Sequence, residues 1–243
     1  MSFTEGIVIS SSMGVAASII VQMTTYPLDV VKLLQQDPRS TKRCDQVAIA
    51  LFQKEGLCGF YKGIVPRMIE VSQKQIWCWP LITKLPPFFK KCGYNEPEQQ
   101  ALTGLTIATM DAFLGTPFDS LKLRAIYGLK RKVSWRGFPT NFAKRIVGWT
   151  TFLIAQNHFS NKLTCGKRLS LLQSIFVAWH TAIAVSLTQA PFDVLNTLRQ
   201  TDNVLQVKFS IPFIRRMYRG WPLSFTALMI QNLSSVILID RLK

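Results

Sequence analysis

"YPLDVVKLLQQ", residues 26–36, closes a long uncharged run with a proline, an aspartate two residues later and a lysine three after that. The same order returns as "TPFDSLKLRAI" at 116–126 and as "APFDVLNTLRQ" at 190–200, where Asn196 takes the lysine's place. Each copy is followed by an aromatic-basic-glycine element that opens the next apolar segment: Tyr61–Gly63 in "EGLCGFYKGIVPR", Trp135–Gly137 in "SWRGFP" and Tyr218–Gly220 in "YRGWP". A unit that recurs at this spacing marks one supersecondary element used three times. The repeats read as 1–95, 96–168 and 169–243 within a single domain.

The segments between the motifs point to lipid. Gly6–Leu28, Leu171–Phe192 and Trp221–Ile239 contain no Asp, Glu, Lys or Arg, and runs near twenty residues span the ~30 Å of a bilayer core as helices. Hydrophobic residues make up 48% of the chain, charged residues only 17%, and mean hydropathy is +0.19, a poor match to a water-soluble domain. Three further segments, 64–84, 99–118 and 138–157, complete six spans although they carry Arg67, Glu70, Lys74, Asp111, Lys144 and Arg145. Charges at that depth are expected to turn inward to a polar cavity. The expected fold is an all-α membrane protein of six transmembrane helices.

The net charge of +16 raises nucleic acid as a partner, but the basic residues lie between apolar runs and not along one stripe, so no nucleic-acid partner is expected. Cys44, Cys58, Cys78, Cys92 and Cys165 are scattered without metal-ligand spacing, so neither disulfide framework, metal nor cofactor is expected. His158 and His180 are the only histidines, and no Ser/His/Asp or Cys/His set is visible, so the chain does not read as an enzyme. The N-terminus has neither the basic n-region of a secretory signal nor an Arg-rich transit peptide, which leaves any organelle address internal.

Proline inside a helix removes one hydrogen bond and bends it, so Pro27, Pro117 and Pro191 are expected to kink three helices toward one axis. Asp29 and Lys32, at i and i+3, share a helix face. Around a threefold axis each charge then reaches a different neighbour.

These residues resemble the mitochondrial carriers, whose repeat carries Pro-x-Asp-x-x-Lys, a linker, then acidic-Gly, four residues, aromatic, basic, Gly. The first repeat matches in full, with Glu55 and Gly56 included. The resemblance implies three helix pairs in pseudo-threefold symmetry around a cavity that closes alternately on either side, and a monomer in the mitochondrial inner membrane. It implies a matrix gate of Asp29 with Lys122, Asp193 with Lys32 and Asp119 with Asn196, the last without an ion pair. Gln36 and Gln200 stand where the family has a glutamine brace. Only the first linker is long enough for the family's surface helix, placed at Asp45–Lys54. An opposite gate is legible only in Asp240 and Lys243, with Thr83, Pro86, Asn157 and Ser160 at the other places. Gly63, Gly137 and Gly220 stand where carriers bind the lipid cardiolipin.

The family's contact points fall at Glu70 with Val71, Lys144 with Arg145, and Ala227 with Leu228. Lys144 and Arg145 suit phosphate or carboxylate, so the expected cargo is a small anionic metabolite, with nucleotides among the candidates. Glu70 either receives an amino group, as in an amino-acid-like zwitterion, or neutralises Arg67 or Lys74 on its own helix. Gln22 and Asp111 read as cavity residues or as partners across a helix interface, and His180 as the latter. A carrier that no longer transports, and instead remodels or docks membranes, is a further alternative. The basic loops, with five Lys or Arg and no acid in 124–137, put the motif side in the matrix.

Overall fold

A computed structural model describes residues 3–37, 43–129, 133, 135, 137–164, 169–200, 217–218 and 220–242. Among these the chain is wholly helical: α1 (Phe3–Gln36), α2 (Cys44–Gly59), α3 (Ile64–Lys91), α4 (Glu96–Ile126), α5 (Phe138–Thr164), α6 (Leu171–Gln200) and α7 (Trp221–Leu242). At a rise of ~1.5 Å per residue, every helix but α2 exceeds the thickness of a bilayer core. Pro27, Pro117 and Pro191 all lie inside helices.

Local chemistry sets several boundaries. Asn95 N donates to Glu98 Oε2 at 2.8 Å, closing a capping box ahead of α4, and Ser170 exchanges backbone-to-side-chain bonds with Gln173 ahead of α6. Such caps occupy the orphan N–H groups of a first turn. The outer ends of α4 and α5 are tied by Glu96, whose Oε1 accepts from Asn157 at 2.8 Å and Asn161 at 2.7 Å.

The long helices close a ring: α1 packs on α3, α3 on α4, α4 on α5, α5 on α6, α6 on α7, and α7 back on α1. α2 lies against α1; Val47 and Leu51 are buried while Ile49, Phe52 and Leu57 face out, the two-faced pattern of a surface helix.

Burial runs inside out. On α3, Val65, Ile69 and Ile76 are 50–66% exposed, whereas Glu70 is 1% exposed. On α4, Phe113 is 60% exposed while Asp111 and Asp119 are buried. Spacings of four and seven residues place the apolar side chains on one outward helical face. By length and composition one helix among the described residues, 171–199, is apolar enough on its own to cross a membrane. α3, α4 and α5 carry inward charges that lower their hydropathy.

Ring closure depends on small residues. A Cβ on Gly104 would lie 2.9 Å from Thr150 Cα, which is backbone and cannot swing aside. Gly104→Val is expected to force α4 from α5 at a cost of about 1–3 kcal/mol, read as a lower melting temperature in detergent. An unchanged melting temperature would rule out this close approach.

Candidate polar cavity

The ring encloses a cavity of about 280 Å³ lined from all six long helices. Gln22, Asp29, Lys32, Arg67, Lys74, Asp111, Asp119, Lys122, Lys144, Arg145, Asp193 and Asn196 face it, with Ala227 and Leu228 from α7. Glu70 stands behind this wall. In lipid-like surroundings charges persist only when paired and hydrogen-bonded, and two networks do this here.

The larger centres on Arg145. Its Nη2 lies 2.7 Å from Glu70 Oε1 and 2.7 Å from Asp119 Oδ2, its Nη1 meets Asp111, and its Nε donates to Asn141 Oδ1 at 3.2 Å. Asn141 in turn donates to Thr116 Oγ1 at 2.9 Å, which fixes the amide's orientation. Room for the guanidinium comes from α4: a Cβ on Gly115 would sit 2.6 Å from Arg145 Nη2. Glu70 Oε2 binds Arg67 Nη1 at 2.9 Å, and Arg67 Nε donates to Gln22 Oε1 at 3.1 Å. Gln22 Nε2 then donates to Asp29 Oδ2 at 3.3 Å.

The second network is smaller. Asp193 holds two lysines, Lys32 at 2.8 Å and Lys144 at 2.9 Å, one on each oxygen. This joins α1, α5 and α6 through one carboxylate. Gln36 Oε1 accepts from Thr197 Oγ1 at 3.4 Å about one turn beyond that pair.

Of the expected gate contacts, Lys32 with Asp193 is present and two pairings differ. Asp29 and Lys122 form no ion pair; Asp29 takes the Gln22 amide, and Lys122 sits 3.8 Å from Asp119 on its own helix. Asp119 takes Arg145 in place of Asn196, because arginine reaches farther and keeps its charge; Asn196 Oδ1 accepts from Thr140 Oγ1 at 3.4 Å. Two expected cargo contacts also change. Arg145 is 7% exposed and committed to three carboxylates, and Glu70 is held by two arginines. Of the two readings of Glu70, the geometry gives neutralisation, by Arg67 and not Lys74. Lys144 is more accessible, with 26% of its side chain exposed.

His180 makes its hydrogen bond within α6, Nδ1 2.9 Å from Phe176 O, and not across a helix interface, where its ring packs against Phe159 of α5 instead. Gly63 and Gly220 adopt φ 77° and 81°, which only glycine takes without strain. A Cβ on Gly63 would lie 2.9 Å from Lys122 O, so the glycine also lets α3 start hard against α4. The side chains of Gln200 and Asp240, and all of Lys243, lie outside the described residues. Among the described residues no cluster of metal-ligating side chains occurs.

Trp149 is the site residue absent from the sequence reading. Its Nε1 donates to Asp111 Oδ2 at 3.0 Å, and Lys74 Nζ lies 5.6 Å from its ring centre. The available signal was spacing: Trp149 is four residues beyond Arg145 and Lys74 four beyond Glu70, so each shares a face with a charge already singled out.

Residues 4–91 match the family model for mitochondrial carrier protein, a span that lies within the first repeat. A mitochondrial glycine transporter of Danio rerio is 32% identical over 30% of this chain and 26% of its own length. The mitochondrial 2-oxodicarboxylate carrier of Homo sapiens is 28% identical over 56% of this chain and 48% of its own. A mitochondrial glycine transporter of Saccharomyces cerevisiae is 24% identical over 81% of this chain and 74% of its own. The chain thus spans a quarter to a half of the first two relatives.

Proposed function

Starting from its kinship with the mitochondrial carriers, we propose that this chain is a carrier-type transporter that moves a small anionic metabolite across the mitochondrial inner membrane by alternating access. It spans the bilayer with α1 and α3–α7 as three helix pairs in pseudo-threefold relation. The inside-out burial of Glu70, Asp111 and Arg145 against exposed Ile76 and Phe113 supports insertion in lipid.

One observation carries the anionic cargo: two ammonium groups share the single carboxylate of Asp193, and one of them, Lys144, lines the cavity with a quarter of its side chain exposed. Six cations and four carboxylates line the cavity, and Glu70 behind the wall brings the carboxylates to five, a surplus of one positive charge. An anion that draws Lys144 away from Asp193 also releases the contact that ties α5 to α6, which couples binding to opening on the motif side. The cavity's size, just under the ~300–1,000 Å³ of typical ligand pockets, puts short-chain acids ahead of nucleotides. Relatives named for 2-oxodicarboxylate, thiamine pyrophosphate and ADP,ATP transport include anion carriers.

A second reading is an amino-acid-like zwitterion. Asp29 lines the same cavity and has a hydrogen bond to Gln22 but no ion-pair partner among the described residues, so it offers a carboxylate to an ammonium group while Lys144 offers the opposite charge. Relatives named as glycine transporters agree with it.

The test is counter-exchange in cardiolipin-containing proteoliposomes with labelled carboxylates, nucleotides and amino acids. Exchange of an anionic class, lost in Lys144→Ala, is the expected result. Exchange confined to amino acids and lost in Asp29→Asn selects the second reading, and no exchange by folded protein selects a non-transporting docking or membrane-remodelling role.

A further inference from the structure

Lys74 stands in the same cavity as Lys144 with an unusual surrounding. Its nearest carboxylate oxygen, Asp111 Oδ2, is 3.9 Å away, beyond hydrogen-bond reach. Asp111 is already engaged, by Arg145 on one oxygen and by Trp149 Nε1 on the other. Among the described residues no acceptor lies within hydrogen-bond distance of the Lys74 ammonium, although only 18% of the side chain is exposed. The indole of Trp149 holds it from below by its ring face. A largely buried ammonium with three unfilled donors calls for an acceptor from the lumen.

We propose that Lys74 is a second anion-binding group of the cavity, and that with Lys144 it makes the site selective for solutes with a carboxylate at each end of a short carbon chain. Lys74, on α3, lies over the ring of Trp149, five residues along α5 from Lys144, and both lysines line the same cavity from different helices. Two cations that reach one cavity from separate helices supply a charge-assisted donor for each end of a short dicarboxylate. Arg67 and Arg145 are committed to Glu70, Asp111 and Asp119 and leave the ends of the solute to the lysines. With both ends bound, the site carries one net negative charge in place of the solute's two. This inference rests on the anion-carrier reading and names the class of anion.

The experiment compares wild type, Lys74→Gln and Lys74→Arg in proteoliposomes, with a labelled short-chain dicarboxylate and the monocarboxylate of equal length, and melting temperature in detergent as the control for folding. Lys74→Gln is expected to raise KM for the dicarboxylate by about tenfold or more, the worth of one charge-assisted bond, and to leave that for the monocarboxylate unchanged. Lys74→Arg, which keeps the cation, is expected to retain the preference. Equal effects of Lys74→Gln on both acids, or none on either, overturn the proposal while anion exchange that depends on Lys144 leaves the broader reading standing. If wild type exchanges neither acid, the proposal falls, and the broader reading stands only where another anion is exchanged in a Lys144-dependent way.

Discussion

Replacing Arg145 by alanine is expected to lower the melting temperature of the detergent-solubilised protein by on the order of 10 °C. The guanidinium is 7% exposed and touches Glu70, Asp111 and Asp119, contributed by α3 and α4. Removing it leaves three buried carboxylates whose remaining ion pairs among the described residues are with Arg67, Lys74 and Lys122. Breaking a buried ionic network from one side costs about 3–5 kcal/mol, and for a chain of this size each kcal/mol moves the transition by roughly 2–4 °C. Adding Glu70→Gln to Arg145→Ala removes one of the stranded charges and is expected to restore part of the loss. Gly115→Ala is expected to act in the same direction from the opposite wall, because the new methyl group falls where Nη2 now lies. A melting temperature unchanged in Arg145→Ala, with exchange lost, would instead make Arg145 a contact for cargo alone.

Asp193→Asn is expected to open the motif side of the cavity. This carboxylate is the shared anchor of Lys32 and Lys144, at 2.8 and 2.9 Å, and its side chain is 11% exposed. With an amide there, two ammonium groups face each other without a counter-charge, and the arrangement closed at α1, α5 and α6 loses its ionic tie. A partly buried pair of this kind is worth enough to shift a closed-to-open ratio by at least about tenfold. The readout is labelling by an impermeant thiol reagent, applied from the side of the 26–36 motif, of Val71→Cys in a background without native cysteines. Val71 lines the cavity and is 5% exposed. Labelling at the wild-type rate would show that Asp193 does not hold that side shut.

Much of the architecture was legible because it rests on patterns that tolerate no ambiguity. The Pro-x-Asp motifs at 27–29, 117–119 and 191–193 lie within three long helices, and the aromatic-basic-glycine elements precede the next three. The charges at Asp111, Lys144 and Arg145 could only turn inward, and together with Gln22 and Ala227 they line one cavity. Partner choice was not legible. Spacing along a helix assigns a residue to a face but not to a neighbour, and the reach of Arg145 to Asp119 depends on the absent side chain of Gly115 across the interface. The same limit hid the withdrawal of Glu70 behind the wall, since two arginines from different helices hold it there. It also hid Trp149, an aromatic residue whose indole N–H serves a carboxylate on α4. Among the described residues one helix, 171–199, is apolar enough on its own to cross a membrane, so the inward placement of charge, more than hydropathy, argues for lipid around α3–α5.

The most direct measurement is the concentration dependence of anion exchange by Lys144→Gln against wild type in proteoliposomes, with melting temperature recorded for both. With Lys144 as the cargo's contact, KM for the exchanged anion rises by about tenfold or more, as loss of a charge-assisted hydrogen bond requires, and the melting temperature falls far less than in Arg145→Ala. An unchanged KM in a folded Lys144→Gln protein would contradict the assignment of the anion to this cavity.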